Sequence, residues 1–133
     1  MIPNNYYWIA FDFGHLYSLD NMWVWNYGAM NAYGDFSARG LKDVFIKTSI
    51  DGEHWTQLQG PGLRGTHQFA KTESTVGVPF AHNTQIDFDG IEARYVLVYS
   101  TPYFEPPLEP EWGAYVGQWG LSEVQFNVDP IRQ

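Results

Sequence analysis

Three glutamates in a proline-rich stretch are the first candidates for chemistry. Glu105, Glu109 and Glu111 lie within residues 101–120, which also contain four prolines. Cleavage of a glycosidic bond needs two carboxyl groups about 5 to 10 Å apart, one acting as acid and the other as base or nucleophile. Proline cannot donate to a strand ladder, so this stretch is predicted to be a loop. A loop is poorly suited to so fixed a separation, and we interpret the three glutamates as solvent-facing charges.

The four histidines do not follow a metal-binding pattern. They are His15, His54, His67 and His82. Histidine ligands on one element are commonly spaced as HxH or HxxxH, and neither spacing occurs in this sequence. The GxSxG pattern around a serine nucleophile is also absent from the sequence. These patterns favour binding over catalysis.

The stretch MWVWNYG, residues 22–28, raises a different question, because aromatic side chains can serve a core or a binding surface. On a strand, alternate residues share a face: Trp23, Trp25 and Tyr27 on one side, Met22, Val24 and Asn26 on the other. Both faces are largely apolar, which predicts a strand lying between the core and a covering loop. We interpret Trp23 as a packing residue. Asn26 and Tyr27 lie where the strand enters a loop, and loops on a rigid scaffold carry function.

The composition limits the classes of partner. The chain has 133 residues, which predicts one domain over residues 1–133, and aromatic residues make up 18% of it. The net charge of −8 argues against nucleic acid and anionic membranes, because both bind basic surfaces. The chain contains no cysteine and therefore no disulfide. No signal peptide precedes the first strand pattern at Trp8, which predicts a domain cut from a larger protein.

Alternation with a period of two dominates the chain and predicts about seven strands. The predicted strands are residues 8–14, 22–28, 42–50, 55–58, 84–88, 95–99 and 121–128. Turns are predicted at residues 18–21, at Asp51-Gly52, which would form a tight hairpin, and at Asp89-Gly90. Residues 59–82 and 101–120 are predicted to be long surface loops. The fold class that follows is all-β, an antiparallel β-sandwich.

Several segments, in the right order, resemble the discoidin family, also called the coagulation factor 5/8 type C family. This family includes the family 32 carbohydrate-binding modules. The matching segments are WIAFDFG at 8–14, YSLDNMWVWNY at 17–27, RGLKDV at 39–44, SIDGEHW at 49–55, ARYV at 93–96 and GLSEVQF at 120–126. The resemblance spans residues 8–128, and the MWVWNY and GLSEV motifs are most similar to those of discoidin-like domains in large bacterial surface proteins. It implies a jelly-roll sandwich of the galactose-binding-domain type.

The N-terminus departs from this family. Family members carry a first strand and an acidic loop that helps bind a structural calcium, whereas only seven residues precede Trp8 here. Glu123 matches the glutamate that completes the calcium site, and calcium needs six or more oxygen ligands. Glu123 is therefore the metal-ligand candidate, and structural calcium is left open. The missing strand would also leave a sheet edge that could form a homodimer.

Sugar sites in the resembled family lie in loops at one end of the sandwich. They combine an aromatic ring, on which a pyranose stacks, with polar side chains that bond its hydroxyls. By position, the resemblance implies Asn26, Tyr27, Tyr33 and Arg39 as ligand-binding residues. For Arg39 an ion pair with Asp35 or Asp43 is an equal alternative.

Two further segments could lie at the same end of the sandwich and contribute to the same binding site. His82 and Asn83 end the first long loop, where a lone histidine could also be solvated or cap a turn. Trp112, Tyr115 and Trp119 lie in the second long loop, among glycines. Exposed rings are costly to leave in water, which favours binding for at least one of them. The alternative is that they cover the sheet edge left by the absent first strand.

Together these patterns predict a non-catalytic carbohydrate-binding module that anchors a larger enzyme or surface protein to a glycan. Its expected place is secreted or on the cell surface of a bacterium, as part of that larger protein. Anchoring raises local concentration, so modest affinity suffices. Two alternatives stay open: a protein–protein or adhesion module, and a small glycan-active enzyme built on the same scaffold.

Overall fold

The computed structural model describes residues 7–26, 30–31, 34–35, 43–69, 82, 84–100 and 121–131. They form eight strands: β1 (Tyr7–Asn26), β2 (Met30–Asn31), β3 (Gly34–Asp35), β4 (Asp43–Ser49), β5 (Thr56–Gln57), β6 (His67–Gln68), β7 (Thr84–Ser100) and β8 (Leu121–Pro130). A single 3-10 turn, Leu63–Gly65, is the helical structure in these residues. The predicted all-β class is confirmed.

Six strands form one antiparallel sheet in the order β5-β4-β7-β1-β8, and β6 pairs with β4 beside β5. The centre of the sheet is the pairing of β1 with β7, which are 20 and 17 residues long. Strands β2 and β3 pair only with each other among the described residues.

Two breaks in register bend the long central strands. Between the pairs Asp12–Tyr95 and Tyr17–Ala93, β1 has the four residues 13–16 where β7 has one. Between the pairs Leu19–Ile91 and Asn21–Asp87, β7 has the three residues 88–90 where β1 has one. Such unequal insertions are β-bulges, which bend a strand and increase its twist.

Local contacts hold both bulges. The Asp12 carboxylate accepts a hydrogen bond from the Gly14 amide at 2.9 Å, and Gly14 takes a positive φ of 81°. The same carboxylate receives Nε and Nη2 of Arg94 from β7, at 2.8 and 3.2 Å. In the second bulge Gly90 also has positive φ, and Ser18 Oγ donates to its carbonyl at 3.2 Å.

The bends divide the sheet into two layers that pack face to face. Layer 1 consists of residues 7–12, 43–49 and 95–100, and layer 2 of residues 17–26, 84–93 and 121–130. Their inner faces supply one core, whose buried members are Leu19, Met22, Val24, Val44, Ile46, Phe69, Ile86, Phe88, Ala93, Val96 and Val98. The predicted sandwich is therefore formed by a single sheet bent over on itself.

Phenylalanine rings join the layers. Phe126 on β8 pairs with Met22 in layer 2, yet its ring lies 5.0 Å from the ring of Phe11 in layer 1, in an edge-to-face contact. Its ring is also 4.9 Å from that of Phe13, at the bend. Edge-to-face pairs at this separation are favourable beyond the area they bury.

The predicted hairpin at Asp51-Gly52 is confirmed, since β4 and β5 pair and Gly52 has a φ of 81°. Its loop runs through residues 50–55 and is wider than the tight turn predicted. The turns predicted at residues 18–21 and at Asp89-Gly90 were wrong, because both segments lie inside continuous strands. The positive φ predicted at Gly90 is present, but it forms a bulge instead of reversing the chain.

The predicted surface loop 59–82 was wrong over its first half. His67 is buried, Phe69 is fully buried in the core, and β6 pairs with β4. Burial lowers the pKa of His67, and its Nε2 lies 3.2 Å from the carbonyl of Leu58. Residues 70–81 and 83 lie outside the described residues.

Strand β8 is an edge of the sheet, since β1 is its one neighbour within the described strands. The edge carries the exposed residues Glu123, Asp129 and Pro130. Charges and proline are features that discourage pairing between sheet edges. A homodimer through an open edge stays a prediction.

Candidate functional site

Most of the predicted ligand-binding residues lie outside the described residues. These are Tyr27, Tyr33, Arg39, Asn83, Trp112, Tyr115 and Trp119, together with the glutamates at 105, 109 and 111. Asn26 is the last residue of β1, while His82 and Glu123 are described with their side chains.

Three of the candidate segments begin or end at the same end of layer 2. Asn26 at the end of β1 pairs with Leu121 at the start of β8. Val24, two residues before it, pairs with Thr84 at the start of β7. Strand β1 therefore ends at Asn26 beside the positions where β7 and β8 begin, Thr84 and Leu121. Asn26 and His82 therefore lie at the same end of layer 2, and the shared site predicted for them stays a prediction.

An aromatic cluster lies at this end, and we call Trp23, Trp25 and His82 the aromatic end. The imidazole of His82 stacks on the indole of Trp23, with centroids 4.4 Å apart and planes 7° from parallel. His82 meets Trp25 edge-on at 5.4 Å and 72°. The two tryptophans contact each other at 6.5 Å and 66°. The three rings make one packed group on the outer face of layer 2.

The two faces of β1 separate as the alternation predicts. Met22 and Val24 are fully buried in the core, whereas Trp23 and Trp25 are half-buried on the outer face. His82 covers Trp23, so the predicted covering by a loop residue is confirmed at this position. Trp23 is thus a packing residue, but its side chain lies on the outer face of the sandwich and is partly exposed to solvent.

The indole nitrogen of Trp23 has unsatisfied hydrogen-bonding capacity. Its Nε1 is buried and has no hydrogen-bond partner among the residues that the structure describes. An unmade hydrogen bond on a buried polar group costs about 1 to 3 kcal/mol. Within the described residues, the aromatic end therefore contains one buried donor without an acceptor.

His82 adds further polar capacity at the same place. Its ring is half-buried, and neither ring nitrogen has a hydrogen-bond partner among the described residues. A neutral imidazole offers one donor and one acceptor. The cluster can thus present ring faces together with hydrogen-bonding groups, although sequence reasoning gave no signal for the stacking of His82 on Trp23.

Glu123 is exposed on the outer face, paired across the strands with Trp25. Within the described part of the chain it does not belong to any group of three or more metal-ligating side chains. The one such group there is Asp51, Glu53 and His54. Calcium binding through Glu123 stays a prediction.

The group at Asp51 is a turn and not a prepared metal site. The Asp51 carboxylate accepts hydrogen bonds from the amides of Glu53 and His54, at 2.8 and 2.9 Å. Ser49 Oγ donates to it at 3.1 Å, and His54 Nδ1 lies 2.7 Å from its second oxygen. These donors, the His54 amide foremost, lower the pKa of Asp51 below its ordinary value. Its oxygens are already engaged in holding the β4–β5 loop.

No helix within the described residues has the length and apolar character needed to cross a membrane.

Comparison with known proteins gives structural neighbours. No family model matches the sequence, and no curated protein matches it. One similar structure is a fragment of a protein provisionally assigned as a chitobiase, from Bacteroides thetaiotaomicron. Its TM-score is 0.62 at 22% identity, covering 100% of this chain and 66% of that chain. Another is the C-terminal domain of a chitobiase from Bacteroides fragilis, with a TM-score of 0.59 at 15% identity, covering 96% of this chain and 66% of that chain.

The TM-scores show that this chain shares its fold with both neighbours, and at such low sequence identity the comparison shows the fold alone. The chain spans just under two thirds of the length of each neighbour. The all-β architecture seen here therefore also occurs in fragments of proteins assigned as chitobiases. The resemblance to the discoidin family is not confirmed by these comparisons and stays a prediction.

Proposed function

We propose that this domain is a non-catalytic carbohydrate-binding module, which binds a glycan through the aromatic end and the loops attached beside it. The observation that carries the proposal is the stacked group of Trp23, Trp25 and His82, with its unsatisfied indole N–H. Ring faces pack against the C–H face of a pyranose, and the adjacent polar groups bond its hydroxyls.

The place of the cluster in the fold supports this role. The rings lie on rigid paired strands, while Asn26 and His82 stand where the chain passes into the segments that carry the other predicted ligand-binding residues. Loops positioned by a rigid scaffold are common sites of binding. Asn26, Tyr27, Tyr33, Arg39, Asn83, Trp112, Tyr115 and Trp119 belong to the proposed site as its loop residues.

The neighbours support an accessory role. Both are fragments of proteins assigned as chitobiases, and one is a C-terminal domain. We propose that this domain likewise anchors a larger secreted or cell-surface protein to a polysaccharide. Tethering raises the local concentration of the attached protein even when the single-site affinity is modest.

The test is affinity electrophoresis against a panel of soluble polysaccharides that includes glycol chitin, xyloglucan and galactomannan. We expect at least one of them to retard the wild-type domain. Trp25→Ala and His82→Ala should each reduce the retardation at least tenfold, because they remove a ring from the aromatic end. The matched control is Trp8→Ala, which removes a tryptophan that is 55% exposed on layer 1 and should leave retardation unchanged. Running the panel with and without chelator tests for calcium at Glu123.

Two results would count against the proposal. The first is the absence of retardation on every polysaccharide while circular dichroism shows an intact fold. The second is equal retardation of wild type, Trp25→Ala and His82→Ala.

One observation favours a second function, a protein contact on layer 1. Trp8 is exposed on the outer face of this layer, in line with Tyr99 and Phe45 on the neighbouring strands. Exposed tryptophan is common at the centre of protein interfaces. A protein partner whose binding is lost in Trp8→Ala and kept in Trp25→Ala would support this second candidate.

A further inference from the structure

The outer face of layer 2 continues from the aromatic end as a surface of amide side chains. Register places Gln85 and Gln125 on either side of Trp23, on β7 and β8. The next row consists of Asn21 between Asp87 and Asn127. Gln85, Asp87 and Gln125 are exposed. We call Asn21, Gln85, Asp87, Gln125 and Asn127 the amide face.

Hydrogen bonds orient these side chains. On β8, Gln125 Nε2 donates to Asn127 Oδ1 at 3.0 Å, and Asn127 Nδ2 donates to Asn21 Oδ1 at 2.6 Å. On β7, Gln85 Nε2 donates to Asp87 Oδ1 at 3.1 Å. Side chains fixed in this way lose less rotamer freedom when they bind a ligand.

The amide face keeps unused hydrogen-bonding capacity. A primary amide has two N–H donors and one carbonyl acceptor. The side-chain carbonyls of Gln85 and Gln125 have no partner among the described residues, and each of these amides uses a single donor. Carbonyls and N–H groups side by side match hydroxyl groups, which both donate and accept.

The charge of layer 2 favours the binding of an uncharged ligand over an anionic one. The three stretches that form it contain no lysine or arginine, and its outer face carries the carboxylates of Asp87 and Glu123. A chain of uronate, sulfate or phosphate groups would meet like charge on these three strands, which offer it no cation. A polyhydroxylated chain without charge meets no such opposition.

The dimensions suit several sugar units. From Asn21 to Trp25 the strand rises about 13 Å, at about 3.3 Å per residue, and three strands about 4.8 Å apart give a width of about 10 Å. The surface is therefore longer than one pyranose ring, and Trp23 lies near its middle.

We propose that the amide face is an extended binding surface for a neutral polysaccharide chain, which lies along layer 2 from the aromatic end. This inference rests on the proposed function and adds the class of ligand, an internal stretch of an uncharged glycan instead of a single terminal sugar. The exposed amides bond hydroxyls on successive sugar units, and the aromatic end holds one unit by stacking.

The experiment compares matched neutral and anionic forms of the same backbones. Affinity electrophoresis is run on hydroxyethyl and carboxymethyl cellulose, on glycol and carboxymethyl chitin, and on esterified and de-esterified pectin. We expect retardation by at least one neutral form, and at least tenfold weaker retardation by its anionic counterpart. The double variant Gln85→Ala, Gln125→Ala should lose at least fivefold in retardation on that neutral form. Gln68→Ala, an exposed glutamine on β6, is the matched control and should behave as wild type.

The outcomes separate this inference from the proposed function. Loss of retardation in Trp25→Ala, with the double glutamine variant equal to Gln68→Ala, would overturn the amide face and leave the proposed function standing. Equal or stronger retardation by the anionic forms would also overturn it. A wild-type domain that no polysaccharide retards would overturn both. Because Gln85 and Gln125 are exposed, a folded variant is expected, and circular dichroism checks it.

Discussion

The outer faces of the two layers both carry aromatic rings, but the rings have different neighbours. On layer 1, Tyr99 stacks on Phe45 with centroids 5.0 Å apart, and Lys47 Nζ lies 5.5 Å from the Tyr99 ring centroid. Near the bend the guanidinium of Arg94 covers Tyr95 at 5.0 Å. On layer 2 the rings of Trp23 and Trp25 are met by His82 and flanked by amides and carboxylates. On layer 1 cations lie over Tyr95 and Tyr99, whereas on layer 2 the two tryptophans are contacted by His82 and flanked by hydrogen-bonding groups.

This difference distinguishes the aromatic surface that we propose to bind a glycan from the one on layer 1. A cation above a ring face is attracted by the ring quadrupole and occupies that face, as the imidazole of His82 occupies one face of Trp23 on layer 2. Tyr99 is only 6% exposed, although it alternates with the core residues Val96 and Val98. Layer 2 contains no lysine or arginine that could take this role. Aromatic content alone would not distinguish the layers, whereas the charge beside the rings does.

Removing the ring that joins the layers should have the largest effect. Phe126→Ala is expected to destabilise the domain by about 3 kcal/mol, because it opens a cavity where Phe126 meets Phe11 and Phe13. Urea unfolding measures the loss. Phe45→Ala on the outer face of layer 1 is the comparison and should cost less, since its ring is not in the core. A greater loss for Phe45→Ala would mean that the layers are not held together by this contact.

The bend itself can be tested at its second bulge. Gly90→Ala is expected to cost about 1 to 2 kcal/mol, because alanine is strained at a φ of 80°. Asp89 has a φ of 55°, so Asp89→Gly relieves strain and should be neutral or stabilising. Urea midpoints of the two variants should move in opposite directions or differ by the full cost of Gly90→Ala. Equal losses would contradict a positive-φ bulge at these residues.

The cation on layer 1 gives a smaller effect that sharpens the contrast. Lys47→Met keeps the aliphatic stem and removes the charge over Tyr99, so about 0.5 to 1 kcal/mol of stability should be lost. Retardation by polysaccharide should be unchanged, as the residue lies away from layer 2. The glutamine variants of the amide face should show the reverse, with altered retardation and unaltered stability. Any loss of retardation in Lys47→Met would mean that the two faces do not divide these roles.

The smallest expected effect concerns the exposed loop of layer 1. The pKa of Asp51 is lowered by the amide and ring of His54, so its carboxylate stabilises the folded state above the unfolded pKa of about 4. This contribution disappears as the pH falls through the lowered pKa. Asp51→Ala should therefore lower the thermal midpoint at pH 7 and differ less from wild type near pH 3. Differential scanning calorimetry at the two pH values measures this. A difference that grew at acid pH would contradict the pairing.

The sequence located the strands better than their connections. Alternation identified the segments around Trp23, Ile46 and Val124, because a buried face leaves a local pattern. Asp89-Gly90 was predicted to reverse the chain, yet it forms a bulge. A residue pair that favours positive φ suits either geometry, and the choice depends on whether β1 continues alongside. That partner lies about 70 positions away in the chain and leaves no local signal.

The same limit applies to the candidate site. Asn26 and His82 could be placed near each other from the strand order, because antiparallel neighbours bring those positions to one end. The stacking of His82 on Trp23 could not be predicted from the sequence, since it depends on the course of the long segment before His82. The amide face was missed because glutamine and asparagine on alternate positions read as ordinary solvent-facing residues. Their alignment across three strands requires the register.

The two bent strands have a consequence for how the domain comes apart. Most sandwiches connect their layers by loops, whereas here β1 and β7 run through both layers without interruption. Because the strands are continuous and the two layers share one core, we expect the layers to open as one cooperative unit with matching amide exchange rates. Under the proposed anchoring function, a pulling force on the domain would therefore be resisted by both layers together.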